Sequence, residues 1–242
     1  MSVTAQRTTL DELLNLVFAD ATATDLIRLV AESRRDFGDL SYFFTRRGGL
    51  PWHWPPHGAS ADTPALVVAR NRDTEVRWSP LMYQQSPMPN APARLPVLWA
   101  ALPVAIVSCR RLEGYGSVVD AESERVVLAR IAAASTSAPP NVILVEGSRV
   151  VPMWFLKTPI PAPTEPINEA HPGAWKRTPE EVAQRALWNL ALRLDGSRDA
   201  LDPRKETFAC PGTPAANIFP RREVVVIAGN DIERRFAIEE LL

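Results

Sequence analysis

Residues 141–156, NVILVEGSRVVPMWFL, are two apolar runs divided by Gly147-Ser148-Arg149. The first run, Asn141–Glu146, and the second, Val150–Leu156, each have strand length and strand composition. Three residues including a glycine join them, which is a hairpin connection and makes the two strands antiparallel. A doubly wound sheet needs helical crossovers between parallel strands. This pair therefore selects a mixed α+β sheet. Pro152 lacks the N–H a ladder uses, so the second strand is expected at a sheet edge or at a bulge.

Working outward, helices flank this pair on both sides. Asp120–Ala134 is helical, with Val126, Val127, Ala129, Ile131 and Ala134 apolar and Glu122, Glu124, Arg125 and Arg130 polar. Downstream, Thr178 is an N-cap, Pro179 suits the first helical position, Glu181 completes a capping box, and Asp195-Gly196 ends the helix. A final strand over Glu223–Ala228 and a C-terminal helix ending at Leu242 follow. Upstream, Leu95–Cys109 reads as one apolar strand, fed by the irregular connector Ser79–Arg94 with its four prolines. The N-terminal part reads as two helices, one opened by the capping pair Thr9 and Glu12 and one over Thr24–Arg35. Two strands follow, Ser41–Thr45 and Thr63–Ala69, separated by a Pro- and Gly-rich loop containing PWHWPP.

Composition bounds the function. The chain has 242 residues, 46% hydrophobic and 23% charged, a globular balance with a formal net charge of −1. No apolar run approaches the roughly 20 residues of a membrane span, and the N-terminal stretch lacks a secretory pattern, so a soluble cytoplasmic protein is expected. Cys109 and Cys210 stand about a hundred positions apart without a CxxC partner. His53 and His57 lie in a Pro-rich loop with no neighbouring acid or cysteine, and His171 stands alone. No phosphate loop, GxSxG or HExxH occurs. The acids fall on helix faces and turns, without the strand-borne pair that two-metal phosphoryl chemistry uses. Neutral overall, the chain still carries paired arginines at 46–47, 110–111, 221–222 and 234–235. Guanidinium groups favour bidentate phosphate contacts, so a local basic face on a neutral protein is possible.

Four segments in order resemble the primase-polymerase domains of the archaeo-eukaryotic primase superfamily, as found in plasmids and phages. The family's strand LWADLD is matched by LWAALP, residues 98–103. Its helix, strand and SGxGxHxYWLL motif are matched by ESERVVLARIAAASTSAPPNVILVEGSRVVPMWFL, with Gly147 and Trp154 in register. Its LPGT loop is matched by Pro211-Gly212-Thr213, and its closing segment by EVVVIAGNDIERRFAIEELL. The match covers about Leu95 to Leu242; residues 1–94 agree only in element order. The resemblance implies one primase-like domain over residues 1–242. Its architecture would be an RRM-like, mixed or antiparallel sheet flanked by helices (95–242), with an N-terminal layer of helices and strands (1–94).

The resemblance also implies that the chemistry is gone. Ala101 and Pro103 stand where the family's metal-binding aspartates stand. Val151 replaces the motif histidine that meets nucleotide phosphates, Arg149 the second glycine, Glu146 the serine, and Ala209 the arginine ahead of LPGT. Glu146 is the single weak metal candidate. No cofactor is expected; magnesium or manganese enters only if an unorthodox active site exists. The implied role is a non-catalytic protein that binds single-stranded DNA or RNA, or serves an active primase, helicase or other replication or defence protein of a mobile element. An active primase with an unusual metal site and a purely protein-binding subunit are the alternatives. Candidate nucleic-acid contacts are Arg110, Arg111, Arg149, Asn217, Arg221 and Arg222.

Overall fold

The computed structural model describes residues 8–22, 25–31, 40–45, 63–71, 74–84, 97–113, 116–161, 178–196, 207–215 and 218–242. The hairpin is present. Strand β9 (Val142–Val145) pairs antiparallel with β10 (Arg149–Pro161), with Val150 opposite Val145 and Met153 opposite Val142. On its other side β10 pairs with β5 (Val97–Pro103), setting Phe155 against Ala101 and Met153 against Pro103. β10 is thus an interior strand, and the expected edge position of Pro152 is corrected. The missing N–H is tolerated because β5 has just ended. The carbonyl of Pro152 accepts from Val104 N at 3.1 Å, and pairing resumes only at β6 (Ile106–Val107), opposite Val150 and Arg149.

The large sheet runs β11-β3-β1-β4-β5-β10-β9-β13, with β2 added to β1 and β6 to β10, and every pairing in it is antiparallel. Its remaining strands are β1 (Asp25–Ala31), β2 (Leu40–Thr45), β3 (Val76–Trp78), β4 (Leu81–Gln84), β11 (Phe208–Ala209) and β13 (Val225–Ala228). A small second sheet contains β7 (Cys109–Leu112), β8 (Gly116–Val119) and β12 (Ile218–Phe219), in the order β12-β8-β7. Helices α1 (Leu10–Val17) and α2 (Pro64–Arg70) cover one face of the large sheet; α3 (Ala121–Ala134) and α4 (Pro179–Leu194) cover the other. This is an α+β fold with a large antiparallel sheet between helical layers.

Two N-terminal expectations are reversed. Thr24–Arg35 is not a helix: Asp25–Ala31 is β1, and six of its seven residues are buried. Leu26, Leu29 and Val30 fit helical spacing, but so short a run does not distinguish a buried strand from a helix, and here three partner strands decide. Thr63–Ala69 is not a strand. Thr63 caps α2 by accepting from Leu66 N at 3.3 Å, Pro64 fits its first turn, and Val67 is buried while Ala65, Leu66 and Ala69 are exposed. Leu95–Cys109 divides into β5, β6 and the start of β7, and the connector contains β4. The C-terminal helix is a single 3-10 turn, Ile238–Leu241. Both capping boxes form, Thr9 with Glu12 and Thr178 with Glu181, and Asp195 closes α4 in the left-handed region at φ 53°.

The alternation of β10 sorts the core. Val151, Met153 and Phe155 join the cluster under α1 and α2, whereas Val150, Trp154 and Leu156 join the cluster under α3 and α4. Buried Trp154 donates from Nε1 to the Ala138 carbonyl at 2.8 Å, which satisfies the only polar atom of its ring. Asn141, fully buried, ties the C-terminal segment to this centre. Its Nδ2 donates to the carbonyls of Asp231, Ile232 and Arg234, and its Oδ1 accepts from Phe155 N at 2.7 Å.

Candidate functional site

The positions matched to family chemistry lie on the α1/α2 face of the sheet and at its β11 end. Ala101 and Val151 are fully buried among Met153, Phe155, Phe208 and Cys210, and Pro103 is buried opposite Met153. Methyl, isopropyl and ring carbons fill this part of the sheet.

Glu146 sits in the hairpin turn, 4% exposed, and each of its oxygens is engaged. Oε1 accepts from Ala209 N at 2.7 Å. Oε2 accepts from Arg149 Nε at 2.9 Å, with Nη2 of the same guanidinium 2.7 Å away. Arg149 Nη2 also donates to the Thr207 carbonyl at 3.1 Å, and its guanidinium carbon lies 5.6 Å from the Phe208 ring centroid. The two residues therefore clip the hairpin turn to β11. Burial pushes the Glu146 carboxyl above its usual range, against the opposing pull of Arg149 and the Ala209 N–H. Glu75 is close enough to raise it further, and is itself matched by Arg77, 2.9 Å away. Neither Glu75 nor Arg77 stands out in the sequence, because the β3–β11 pairing that brings them here is long-range. Beside them the Cys210 thiol is pushed well above its ordinary range, first by burial and then by Glu146 and Glu75. Such a thiol is inert rather than nucleophilic. Both cysteines are free.

Backbone geometry explains two of the family-like residues. Gly147 has φ +77°, and a Cβ there would come within 3.3 Å of Ile218 side-chain carbons. Gly212 has φ +78°, and the buried Thr213 hydroxyl donates to the Cys210 carbonyl at 2.7 Å to close the Pro-Gly-Thr turn. Among the described residues no group of three or more His, Cys, Asp or Glu is placed to hold a metal. His53, His57, His171, Arg46, Arg47 and Asn217 lie outside those residues.

The small sheet gathers most of the other candidates. Arg110 and Arg111 are exposed on β7, and Arg221 and Arg222 follow β12, which flanks β8 on the opposite side. Arg222 is paired with Glu124 at 3.0 Å. Arg149 is separated from this group by its bond to Glu146. The pair Arg234-Arg235 is also structural: Arg234 stacks on Phe236 and pairs with Glu240, and Arg235 reaches the Leu16 carbonyl and covers Phe155. Phe219 escaped the sequence reading, although its neighbours in IFPRR are a basic pair. It is 71% exposed, the most exposed large hydrophobic side chain described.

A solved structure resolves the architecture. The chain superimposes on the AEP domain of the cyanophage S-2L primase-polymerase with a TM-score of 0.53, at 10% identity, over 96% of this chain and 94% of that one. The fold is that of a primase-polymerase domain. The likeness spans nearly the whole length. No protein-family model and no curated protein matches the sequence. The likeness is therefore one of fold, seen in three dimensions. Among the described residues no helix is long and apolar enough to cross a membrane.

Proposed function

We propose that this primase-polymerase fold is non-catalytic and binds nucleic acid, as an accessory component in replication or defence of a mobile element. One observation carries the loss of catalysis. Ala101 and Pro103 offer no side-chain ligand, and the buried carboxylate of Glu146 has both oxygens engaged by Arg149 and Ala209 N. Two-metal nucleotidyl transfer needs carboxylates bridging ions roughly 4 Å apart. Ala101, Pro103 and Glu146 do not fit that requirement. An ion at Glu146 would have to displace a guanidinium and leave a buried N–H unsatisfied.

The basic groups support the second half of the reading. Arg110, Arg111 and Arg221 are exposed on or beside one small sheet of a protein whose net charge is −1. A local group on a neutral chain favours phosphate contact around that sheet rather than general polyanion binding.

Two measurements test this. Primer synthesis and extension with labelled nucleotides, in magnesium and in manganese, are expected to give no product. Product that disappears with Glu146→Gln would reverse the catalytic half. Single-stranded oligonucleotide binding is expected to weaken steeply with salt and to weaken further on Arg110→Ala and Arg221→Ala. Absence of binding at low salt would remove the other half.

A further inference from the structure

We infer that the outer face of the small sheet is a stacking platform for single-stranded nucleic acid, with Phe219 taking a base and Arg110 a neighbouring phosphate. The inference rests on the nucleic-acid half of the proposed function and gives it a location and a strand form.

The register places the two groups on one face. Phe219 is opposite Val118 across the parallel β12–β8 pair, and Val118 is opposite Arg110 across the antiparallel β8–β7 pair. Residues opposite one another in a sheet point the same way. Phe219, Val118 and Arg110 therefore form a row across three strands, with Leu112 beside it on β7. The other face turns inward: Ile218 is buried with Ala209, Ala215 and Val224, and Cys109 and Val119 pack against them. Phe219 is thus held on a strand whose adjacent residue is anchored in the core, and the ring is presented with little freedom of the backbone beneath it.

Two strand spacings separate Phe219 from Arg110, about 10 Å. That suits a base flat on the ring and the phosphate of an adjoining nucleotide at the guanidinium. Arg110 is close enough to Asp120 to contribute to lowering that carboxyl, so part of its charge is balanced, and Glu124 takes Arg222. Arg111 and Arg221 are exposed at the margins, and Glu113 follows β7. Arg110 shares the row of the aromatic ring, and a guanidinium beside an exposed ring favours a polyanion over an apolar protein partner. Duplex DNA would bury its base faces and leave the ring without a target, whereas a single strand exposes a π-face at every nucleotide.

The platform also abuts the altered site. Ile218 packs against Gly147, in the turn carrying Glu146, and Ala209 belongs to the cluster that seats β12.

The test uses fluorescence anisotropy of the full chain with a labelled 20-nucleotide oligothymidylate, an abasic oligomer of the same phosphate count, and a duplex. Phe219→Ala is expected to weaken oligothymidylate binding about tenfold. Phe219→Trp should restore it, and neither change should alter binding of the abasic oligomer. Arg110→Ala should weaken all three ligands and reduce the salt slope by about one. Wild-type binding that Phe219→Ala leaves unchanged would overturn the platform while leaving nucleic-acid binding intact. Failure of the wild type to bind any of the three would overturn both. Loss of a co-purifying protein on Phe219→Ala, with no oligonucleotide bound by the wild type, would assign the face to a protein partner and likewise overturn the inference.

Discussion

Replacing Glu146 by alanine separates its structural role from any relic of catalysis. The carboxylate is 4% exposed and holds two kinds of donor, the Ala209 N–H and the Arg149 guanidinium. Alanine leaves the Ala209 N–H buried and unpaired, a cost of about 1–3 kcal/mol. Breaking a fully buried ion pair costs about 3–5 kcal/mol, but the Arg149 side chain is 30% exposed and water can take part of the load. The expected loss is about 3 kcal/mol. Urea denaturation read by tryptophan fluorescence checks it. With a slope of about 3 kcal/mol per molar, the midpoint should fall by about 1 M without a change in slope. Glutamine keeps one acceptor for Ala209 N but turns its amide Nε2 toward the Arg149 guanidinium, donor against donor, so Glu146→Gln should lose less than the alanine variant, about 1–2 kcal/mol at neutral pH. A loss below about 0.5 kcal/mol for the alanine variant would refute the clip between hairpin and β11. A glutamine variant as damaged as the alanine one would mean that the ion itself is required.

Because burial raises the Glu146 carboxyl, the folded state holds its proton to higher pH than the unfolded chain. Its contribution to stability is fully present below the ordinary carboxylate range and is lost as pH rises through the raised folded value. The wild type should therefore gain on Glu146→Gln as pH falls, and a difference that shrinks on acidification would contradict this sign; pH-resolved denaturation curves measure it. Asn141→Ala removes four hydrogen bonds at a fully buried position and should cost about 3 kcal/mol, with faster proteolysis of the segment after Ala228. Gly147→Ala forces a side chain into φ +77° and against Ile218, and should cost about 2 kcal/mol by thermal or urea melting.

Local signals carried the second half of the chain. The Gly-Ser-Arg hairpin, the Thr178–Glu181 capping box and the helix after Asp120 all depend on neighbours within a few residues, and each is in place. The first third failed where the deciding partner is remote. Asp25–Ala31 is a strand because β2, β3 and β4 flank it, a fact that its own apolar run does not encode. Pro152 was read as an edge signal because the sequence does not reveal that β5 stops opposite it. In the candidate site, Arg110, Arg111, Arg221 and Arg222 were visible as pairs, yet only the order β12-β8-β7 brings them to one sheet. The same pairing rule applied to Arg234 and Arg235 selects structural residues instead. Phe219 was invisible because exposure, not identity, is what singles it out.

The ring of Pro103 has an effect on routing as well as on ligands. Opposite it, Met153 turns its carbonyl toward Asn141 on the far side, so no bond to β10 is given up at that point. Past it the chain bonds to the Pro152 carbonyl through Val104 N, pairs with β10 again at Ile106 and Val107, and is then free to found the second sheet at Cys109. An aspartate at 103 would place a charge in packed hydrocarbon at the junction where the polypeptide changes layers. A carboxylate there would consequently have to hold its proton or force the surrounding side chains apart.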